Sequence, residues 1–467
     1  MKRFAFFALL VSIALTIPAY ATPKAPAAVD ASEVKTPKYI FLFIGDGMGK
    51  GHVAATEAFK KATQNAPLSF TAFPACGEIF TKCADKPVTD SAAAGTALAC
   101  GAKANYHAVG IDPKGKSLTS VSTVAKAAGM RVGITTSVTL NHATPASFYA
   151  NAKVRSLYDD IAKQLPKSKF DFFAAGDVTV KKLKHDAIYK LYRDAGYSVV
   201  FGRDGLATLT PGKPAIALHK AKHNDGLPRR ILSANAKTPD HITLPDITNK
   251  AIELLENPKG FFLMVEGGAI DWASHANAGA TMIHETLDFD AAIAVALKFY
   301  KAHPADTLIV VTADHETGGL QFDPKGDIKL LSKQTGSDKD LKRIVSAAMK
   351  KKVSANAILK SMERFFGAPF TDDERAALTK THTATATKKT AKNKKNLYGK
   401  TSTLAAQAIK LVNKRAGVIW TKSSHSATNV PLYAIGAGST LFQGKMDNTE
   451  IAKRLKALVA KNAAAKK

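Results

Sequence analysis

Four short apolar runs in this chain each end next to a residue that can bind a metal or an anion. This repeat restricts the fold more than any other feature of the sequence. Tyr39 to Ile44 leads into Gly45-Asp46-Gly47, and Arg131 to Thr136 leads towards Asn141-His142-Ala143-Thr144. Phe261 to Val265 leads into Glu266, and Thr307 to Thr312 leads into Asp314-His315. A fifth run, Leu432 to Ile435, follows His425. Helical spacing fills intervals such as 119–128, 247–256 and 285–302. Continuous apolar strands alternating with helices predict an α/β fold of three layers (α/β/α), with a large central, mostly parallel, mixed sheet covered by helices on both faces. Such sheets bind ligands beyond the carboxyl ends of their strands. A lone aspartate after a strand is usually a helix cap. Four polar deliveries at the same end point to a site.

Length and composition agree with a globular chain. It has 467 residues, 46% of them hydrophobic, and three cysteines. A disordered chain needs lower hydrophobicity, and a disulfide scaffold needs more cysteine. The N-terminus reads as an address. Lys2 and Arg3 precede an apolar run from Phe4 to Ile17, and Ala19-Tyr20-Ala21 has a small-x-small cleavage pattern. These features predict a secretory signal peptide over 1–21, a flexible lead-in over 22–36, and one domain over 37–467 with an insertion at about 320–424. The apolar run is shorter than the roughly 20 residues a membrane span needs. The expectation is a periplasmic or secreted protein without stable membrane insertion. Cys76 and Cys83 flank a strand-like run that would hold them about 23 Å apart, whereas a bridge needs Cα atoms within about 7 Å, so no disulfide is expected.

The net charge of +28 raises the question of a polyanion partner. Residues 380–400 carry seven lysines and no acid, and residues 451–467 carry six basic residues and no acid. The first is a Thr/Ala/Lys stretch that reads as a solvated loop, and the second as a surface helix. No specific nucleic-acid binding is expected, although the surplus can attract anionic substrates.

The chemistry-bearing residues form a recognisable set. Asp271 and His275 are four apart, so a helix places them on one face where both can bind one ion. Asp314-His315 directly follows a buried-looking strand. Asp46 sits between two glycines, which let backbone approach a ligand closely. Glu266 ends an apolar strand, where an unpaired charge costs several kcal/mol, and a divalent cation would supply the missing charge. The carboxylate/imidazole pairs suit zinc, whereas Glu266, Asp46 and the Thr144 hydroxyl form an all-oxygen set that suits magnesium. Ser91 opens an Ala-rich helix. It reads either as an ordinary N-cap or as a nucleophile placed where backbone donors favour a bound anion.

Taken together, these motifs resemble those of the alkaline phosphatases. They are Ile44-Gly45-Asp46-Gly47-Met48-Gly49, Val88-Thr89-Asp90-Ser91-Ala92-Ala93-Ala94, Ala143-Thr144-Pro145-Ala146, Val265-Glu266-Gly267-Gly268-Ala269-Ile270-Asp271 with His275, Thr312-Ala313-Asp314-His315-Glu316-Thr317-Gly318-Gly319, and His425 before Val430-Pro431-Leu432. Their order and span, residues 39–440, make the likeness specific. The resemblance implies a homodimeric enzyme with two zinc ions and one magnesium ion that hydrolyses phosphate monoesters through a phosphoserine on Ser91. It implies Asp271, His275 and His425 at one zinc. Asp46, Asp314 and His315 would hold the other, and Asp46, Thr144 and Glu266 the magnesium. Arg155, on the helix after Thr144, would grip phosphate, oriented by Asp90. Two positions depart from the best-known enterobacterial pattern. His142 stands where an aspartate can occur near the magnesium, and an imidazole suits zinc or cobalt better. Trp272 stands where a lysine can reach phosphate through water; it is either a substrate contact or a packing residue. Related metalloenzymes fit less well. A phosphodiesterase more usually presents threonine, a sulfatase needs a modification motif absent around Ser91, and a phosphoglycerate mutase would not carry an export signal. A polyanion-binding module would leave the carboxylate/histidine constellation unexplained.

Overall fold

Every residue of Tyr39–Ile44 is buried, and so is every residue of Phe261–Glu266 and Thr307–Thr312. Strands apolar on both faces must be covered on both faces. The computed structural model describes residues 35–219, 242–387 and 403–464. The signal-peptide stretch, nearly all of the lead-in and most of the lysine-rich run lie outside them. In chain order the strands are β1 (Tyr39–Ile44), β2 (Ala75–Phe80), β3 (Arg131–Thr136), β4 (Phe172–Ala175), β5 (Ser198–Phe201), β6 (Ala215–Leu218), β7 (Phe261–Glu266), β8 (Thr307–Thr312), β9 (Glu316–Thr317), β10 (Leu320–Phe322), β11 (Val418–Trp420), β12 (His425–Ser426), β13 (Val430–Gly436) and β14 (Gly444–Asp447). Ten of them form one sheet in the order β14-β2-β13-β8-β1-β7-β3-β4-β6-β5. β13 runs antiparallel to both of its neighbours, and the other pairs are parallel. The mixed, mostly parallel α/β sheet is the predicted one.

Register explains why the polar residues converge. Ile44 stands opposite both Glu266 and Thr312, and Thr136 stands opposite Glu266. The carboxyl ends of β3, β7, β1 and β8 are therefore level, and whatever follows each strand emerges beside its neighbours. Helices Lys50–Gln64, Leu244–Leu255 and Gly279–Ala302 pack together in one layer, and helices Ser91–Cys100, Val121–Ala127 and Thr449–Ala464 in another.

Several local expectations change. Asp90, not Ser91, is the N-cap of helix Ser91–Cys100, and its carboxylate accepts the Ala93 N–H at 3.3 Å. Ser91 is the first helical residue. Arg155 lies in a turn before helix Tyr158–Gln164, not on a helix, because the segment after Thr144 makes only the four-residue helix Ala143–Ala146. The basic helix near the C-terminus has a surface side but also a core side, with Ile451, Leu455, Leu458 and Val459 buried. The stretch 338–365 is two helices, Asp338–Lys350 and Ala355–Phe366, broken where Lys352 takes a left-handed φ of 52°. Cys76, Cys83 and Cys100 are all free thiols.

The segment between β10 and β11 folds back on itself. Helices Asp338–Lys350, Ala355–Phe366, Asp372–Thr387 and Thr403–Arg415 pack against one another. Two short antiparallel ladders, β10 with β11 and β9 with β12, join its ends. The second ladder pairs His425 with Thr317 and Ser426 with Glu316, which carries His425 back beside His315.

Phe262, in β7 between β1 and β3, is fully buried. Phe262→Ala should lower unfolding stability by about 3–5 kcal/mol, through lost burial and the cavity left behind. Chemical denaturation checks this; a loss below about 1 kcal/mol would mean that the sheet is not closed on that face.

Candidate active site

Beyond the level strand ends, four buried carboxylates gather. Asp46, Glu266, Asp271 and Asp314 are all 0% exposed. Asp46 follows β1 in a turn where Gly47 takes a φ of +76°. A Cβ on Gly47 would come within 3.0 Å of the Asp271 backbone, so only glycine allows this approach. Asp314 follows β8, and its Oδ1 accepts the backbone N–H of Gly47 at 3.1 Å and of His315 at 2.9 Å. Glu266 ends β7 and accepts the Thr136 hydroxyl. Thr144 donates to Asp46 at 3.3 Å. Asp271 and His275 lie on one face of helix Ala269–His275, with His275 Nε2 3.3 Å from Asp271 Oδ1.

Three imidazoles meet these carboxylates in the same way. His425 Nδ1 donates to the Thr89 carbonyl at 2.9 Å, and His275 Nδ1 to the Ser423 carbonyl at 2.6 Å. His315 Nδ1 lies 3.2 Å from the Thr317 hydroxyl, which itself donates to Asp271 at 2.6 Å. An oxygen partner on Nδ1 leaves the lone pair on Nε2, as a metal-ligating histidine requires. The Nε2 atoms face inward. That of His275 is 3.2 Å from that of His425, and that of His315 is 3.4 Å from Asp46, 3.3 Å from Asp314 and 3.1 Å from Ser91 Oγ. Three groups have donor atoms close enough to share an ion: Asp271 with His315 and His425; Asp46 with Asp314 and His315; and Asp46 with His142 and Glu266. His275, Asp271 and His425 form a further trio with separations of 3.2–3.7 Å.

Arg155 bridges this cluster to the Ser91 helix. Its Nη1 donates to Asp90 Oδ2 at 3.0 Å, and its Nη2 to His142 Nε2 at 3.0 Å. With Nε2 accepting, the His142 ring carries its proton on Nδ1, the atom 3.9 Å from Asp46. Trp272 packs edge-on against His142, with ring centroids 5.7 Å apart. The structure thus brings together every residue that the motifs single out. It also adds some that no motif marked: Thr136 and Thr317 on the carboxylates, His52 on Ser274 at 3.0 Å, and His107 on Asp90 at 3.0 Å. The Asp-His-Glu-Thr run places Thr317 next to the ligand candidates, but only the fold shows that it reaches Asp271.

The electrostatics fit bound divalent cations. Burial, together with the charges of Asp314, Asp271 and Glu266, raises the Asp46 carboxyl well above its ordinary value. Burial raises Asp314 likewise and pushes Glu266 up to about 7. Burial works against Asp271 too, but the charges of His275 and His425 hold it below its ordinary value. Burial and the Arg155 charge drive His142 down to about 3. Among the described residues, Asp46 Oδ1, Glu266 Oε1, Asp271 Oδ2, Asp314 Oδ2 and His142 Nδ1 are buried without a hydrogen-bond partner. Carboxylate oxygens orphaned at such cost, interleaved with imidazole nitrogens, fit divalent metal ions.

Two measurements follow. A carboxyl raised in the folded state stabilises the fold below its ordinary value and loses that contribution as pH rises through the raised one. Neutral buried imidazoles, His142 and His52 both at about 3, act in the opposite sense only up to their ordinary 6.5. Metal-stripped protein should therefore lose stability from pH 6.5 to about 8, and added zinc should flatten the slope. Denaturant midpoints across that range decide it, and a rising curve for the stripped protein would refute it. Thr317→Val should weaken zinc binding by about 10–100-fold while Thr317→Ser retains it, as measured by competition with a chromophoric chelator.

Comparison with known proteins identifies this geometry. The alkaline phosphatase family model matches residues 37–191 and 173–461. Alkaline phosphatase 4 of Bacillus subtilis is 33% identical over 435 residues, covering 90% of this chain and 88% of the relative. The crystal structure of the cold-active alkaline phosphatase of a psychrophilic Shewanella superposes with a TM-score of 0.74 at 30% identity, covering 90% of this chain and 99% of that one. A TAB5 alkaline phosphatase variant with glutamate in place of one histidine, described with Mg bound in its M3 site, gives a TM-score of 0.63 at 25% identity, covering 92% and 99%. With a match over nearly the whole described chain, this protein belongs to the alkaline phosphatase family and is a phosphomonoesterase.

Proposed function

We propose that the enzyme hydrolyses phosphate monoesters in two displacements at Ser91, with Asp271, His275 and His425 holding one zinc, Asp46, Asp314 and His315 a second, and Asp46, Thr144 and Glu266 a magnesium. The observation that carries this reading is the set of buried, partnerless carboxylate oxygens gathered around His315, whose Nε2 lies 3.1 Å from Ser91 Oγ. Asp46, Thr144 and Glu266 offer oxygen donors that suit magnesium at the third position, and His142 stands within reach of the same ion, where an imidazole suits zinc or cobalt better. When bound, the metal ions lower the pKa of the Ser91 hydroxyl and offset the charge on the departing oxygen.

The chain's own residues do the rest. Ser91 opens helix Ser91–Cys100, so its Oγ lies where helix N–H groups and the dipole favour a phosphate. Asp90 and His142 fix two edges of the Arg155 guanidinium, and the planar fork can then grip two non-bridging oxygens. Ser91 Oγ attacks phosphorus in line, the ester P–O bond breaks, and the alcohol leaves. Water then attacks the phosphoserine on the opposite face and releases inorganic phosphate. The same reading takes residues 1–21 as a removed signal peptide, 37–467 as one catalytic domain with an insertion at about 320–424, and the product as a secreted or periplasmic homodimer. No helix among the described residues is long and apolar enough to cross a membrane.

Ser91→Ala should cut kcat on 4-nitrophenyl phosphate by at least about 10³-fold while the bound metal stays unchanged. Retained turnover with full metal content would show that another group attacks phosphorus.

A further inference from the structure

We infer that His107 is a specificity-determining residue that reads a hydroxyl on the alcohol part of the substrate, favouring phosphate esters of sugars and other polyols over aryl esters. The inference rests on the reading that Arg155 grips the phosphoryl group. It starts from a backbone outlier. His107 has a φ of 72°, in the left-handed region, where a side chain costs about 1 kcal/mol or more relative to glycine. Something must hold it there, and four contacts do. Its N–H donates to Asp90 Oδ1 at 2.9 Å, and its Nδ1 lies 3.0 Å from Asp90 Oδ2. Its carbonyl accepts the backbone N–H of Arg155 at 2.8 Å. The Tyr106 ring packs against it at 4.1 Å, and the Lys86 ammonium braces that ring from 3.8 Å.

The result is a half-exposed imidazole fixed on the carboxylate that also holds Arg155. Asp90 Oδ2 is shared, so the His107 ring and the Arg155 guanidinium stand side by side on one oxygen. Yet Asp90 is 2% exposed and the His107 side chain is 48% exposed. Burial opposes the Asp90 charge, but the hydrogen bond from His107 and the charge of Arg155 hold the carboxyl well below its usual range, so it remains an acceptor. In its neutral form, a ring that donates Nδ1–H to Asp90 keeps an accepting lone pair on Nε2. An acceptor has nothing to offer the oxygens of a phosphoryl dianion. It can take a hydrogen bond from a hydroxyl of the esterified alcohol, which glycerol and sugar esters carry and simple aryl esters lack.

The test compares kcat/KM for glycerol 2-phosphate and 4-nitrophenyl phosphate in the metal-loaded enzyme, in His107→Gly and in His107→Asn. Both substitutions suit a left-handed backbone, and thermal melts confirm folding. The ratio of glycerol ester to aryl ester should fall about tenfold in both variants, the scale of one hydrogen bond. A ratio within twofold of wild type overturns the proposal. So does an equal loss for both esters together with weaker inhibition by inorganic phosphate, because His107 would then act only by positioning Asp90 and Arg155. If the wild-type enzyme turned over neither ester, the proposed function itself would fail, a separate result.

Discussion

Mutual repulsion among four buried carboxylates is the constraint around which this molecule is arranged. Asp46, Glu266, Asp271 and Asp314 are fully buried, and each lies on or just after a strand end or on a short helix that the sheet register fixes in place. Bare, such a cluster is untenable, since each charge costs several kcal/mol to desolvate and raises the cost of the next. Burial works against a charge on His142, His315 and His425, and Arg155 is a nearby cation. The cluster is therefore a receptor for positive charge that the polypeptide itself does not supply. That explains why so much surrounding structure goes into orientation: each inward-facing imidazole has an oxygen on its outward nitrogen. A ring free to turn would lose its lone pair from the centre as often as it presented it.

How much of this the sequence discloses depends on the range of the interactions. The apolar runs 39–44, 261–266 and 307–312 are legible because double-sided burial leaves an unbroken hydrophobic signature. The four-residue strands β4, β5 and β6 are not, because runs this short do not establish a period. The strand ends announce Asp46, Glu266 and Asp314. Asp271 and His275 are legible as a pair from their helical spacing. His425 is recognisable only through the family resemblance, since a two-residue ladder across 110 positions of chain brings it home. The misplacement of Arg155 has a similar cause. The chain after Thr144 turns once and stops, and the turn is fixed by the bond from Arg155 N–H to the His107 carbonyl, a contact invisible to local pattern.

The segment between β10 and β11 shows how a long excursion can serve a site without lining it. Its helices bury their apolar faces on one another, and its two ends return as neighbouring strands. The ladder of β9 with β12 sets Glu316 against Ser426, one residue beyond the candidate ligands His315 and His425. Gly49 takes part as well: a Cβ there would strike the Glu316 side chain at 2.2 Å, so the turn after Asp46 is shaped to admit that carboxylate. Loop-closure entropy grows slowly with length, so an excursion this long costs little once its ends are paired.

Asp90 shows the same economy on a smaller scale. Its carboxylate accepts the Ala93 N–H as the helix cap, the His107 N–H and ring, and the Arg155 guanidinium. Four donors on one buried acid hold it ionised against the pull of burial. They also tie three things to a single point: the start of the helix that carries Ser91, the Arg155 guanidinium, and the half-exposed His107 ring. A displacement of any one must move the others, because the oxygens have no other partners to turn to. Ser91, the Arg155 guanidinium and the His107 ring are in this way held as one unit, and on the proposed reading a single carboxylate positions nucleophile, phosphate grip and alcohol contact together.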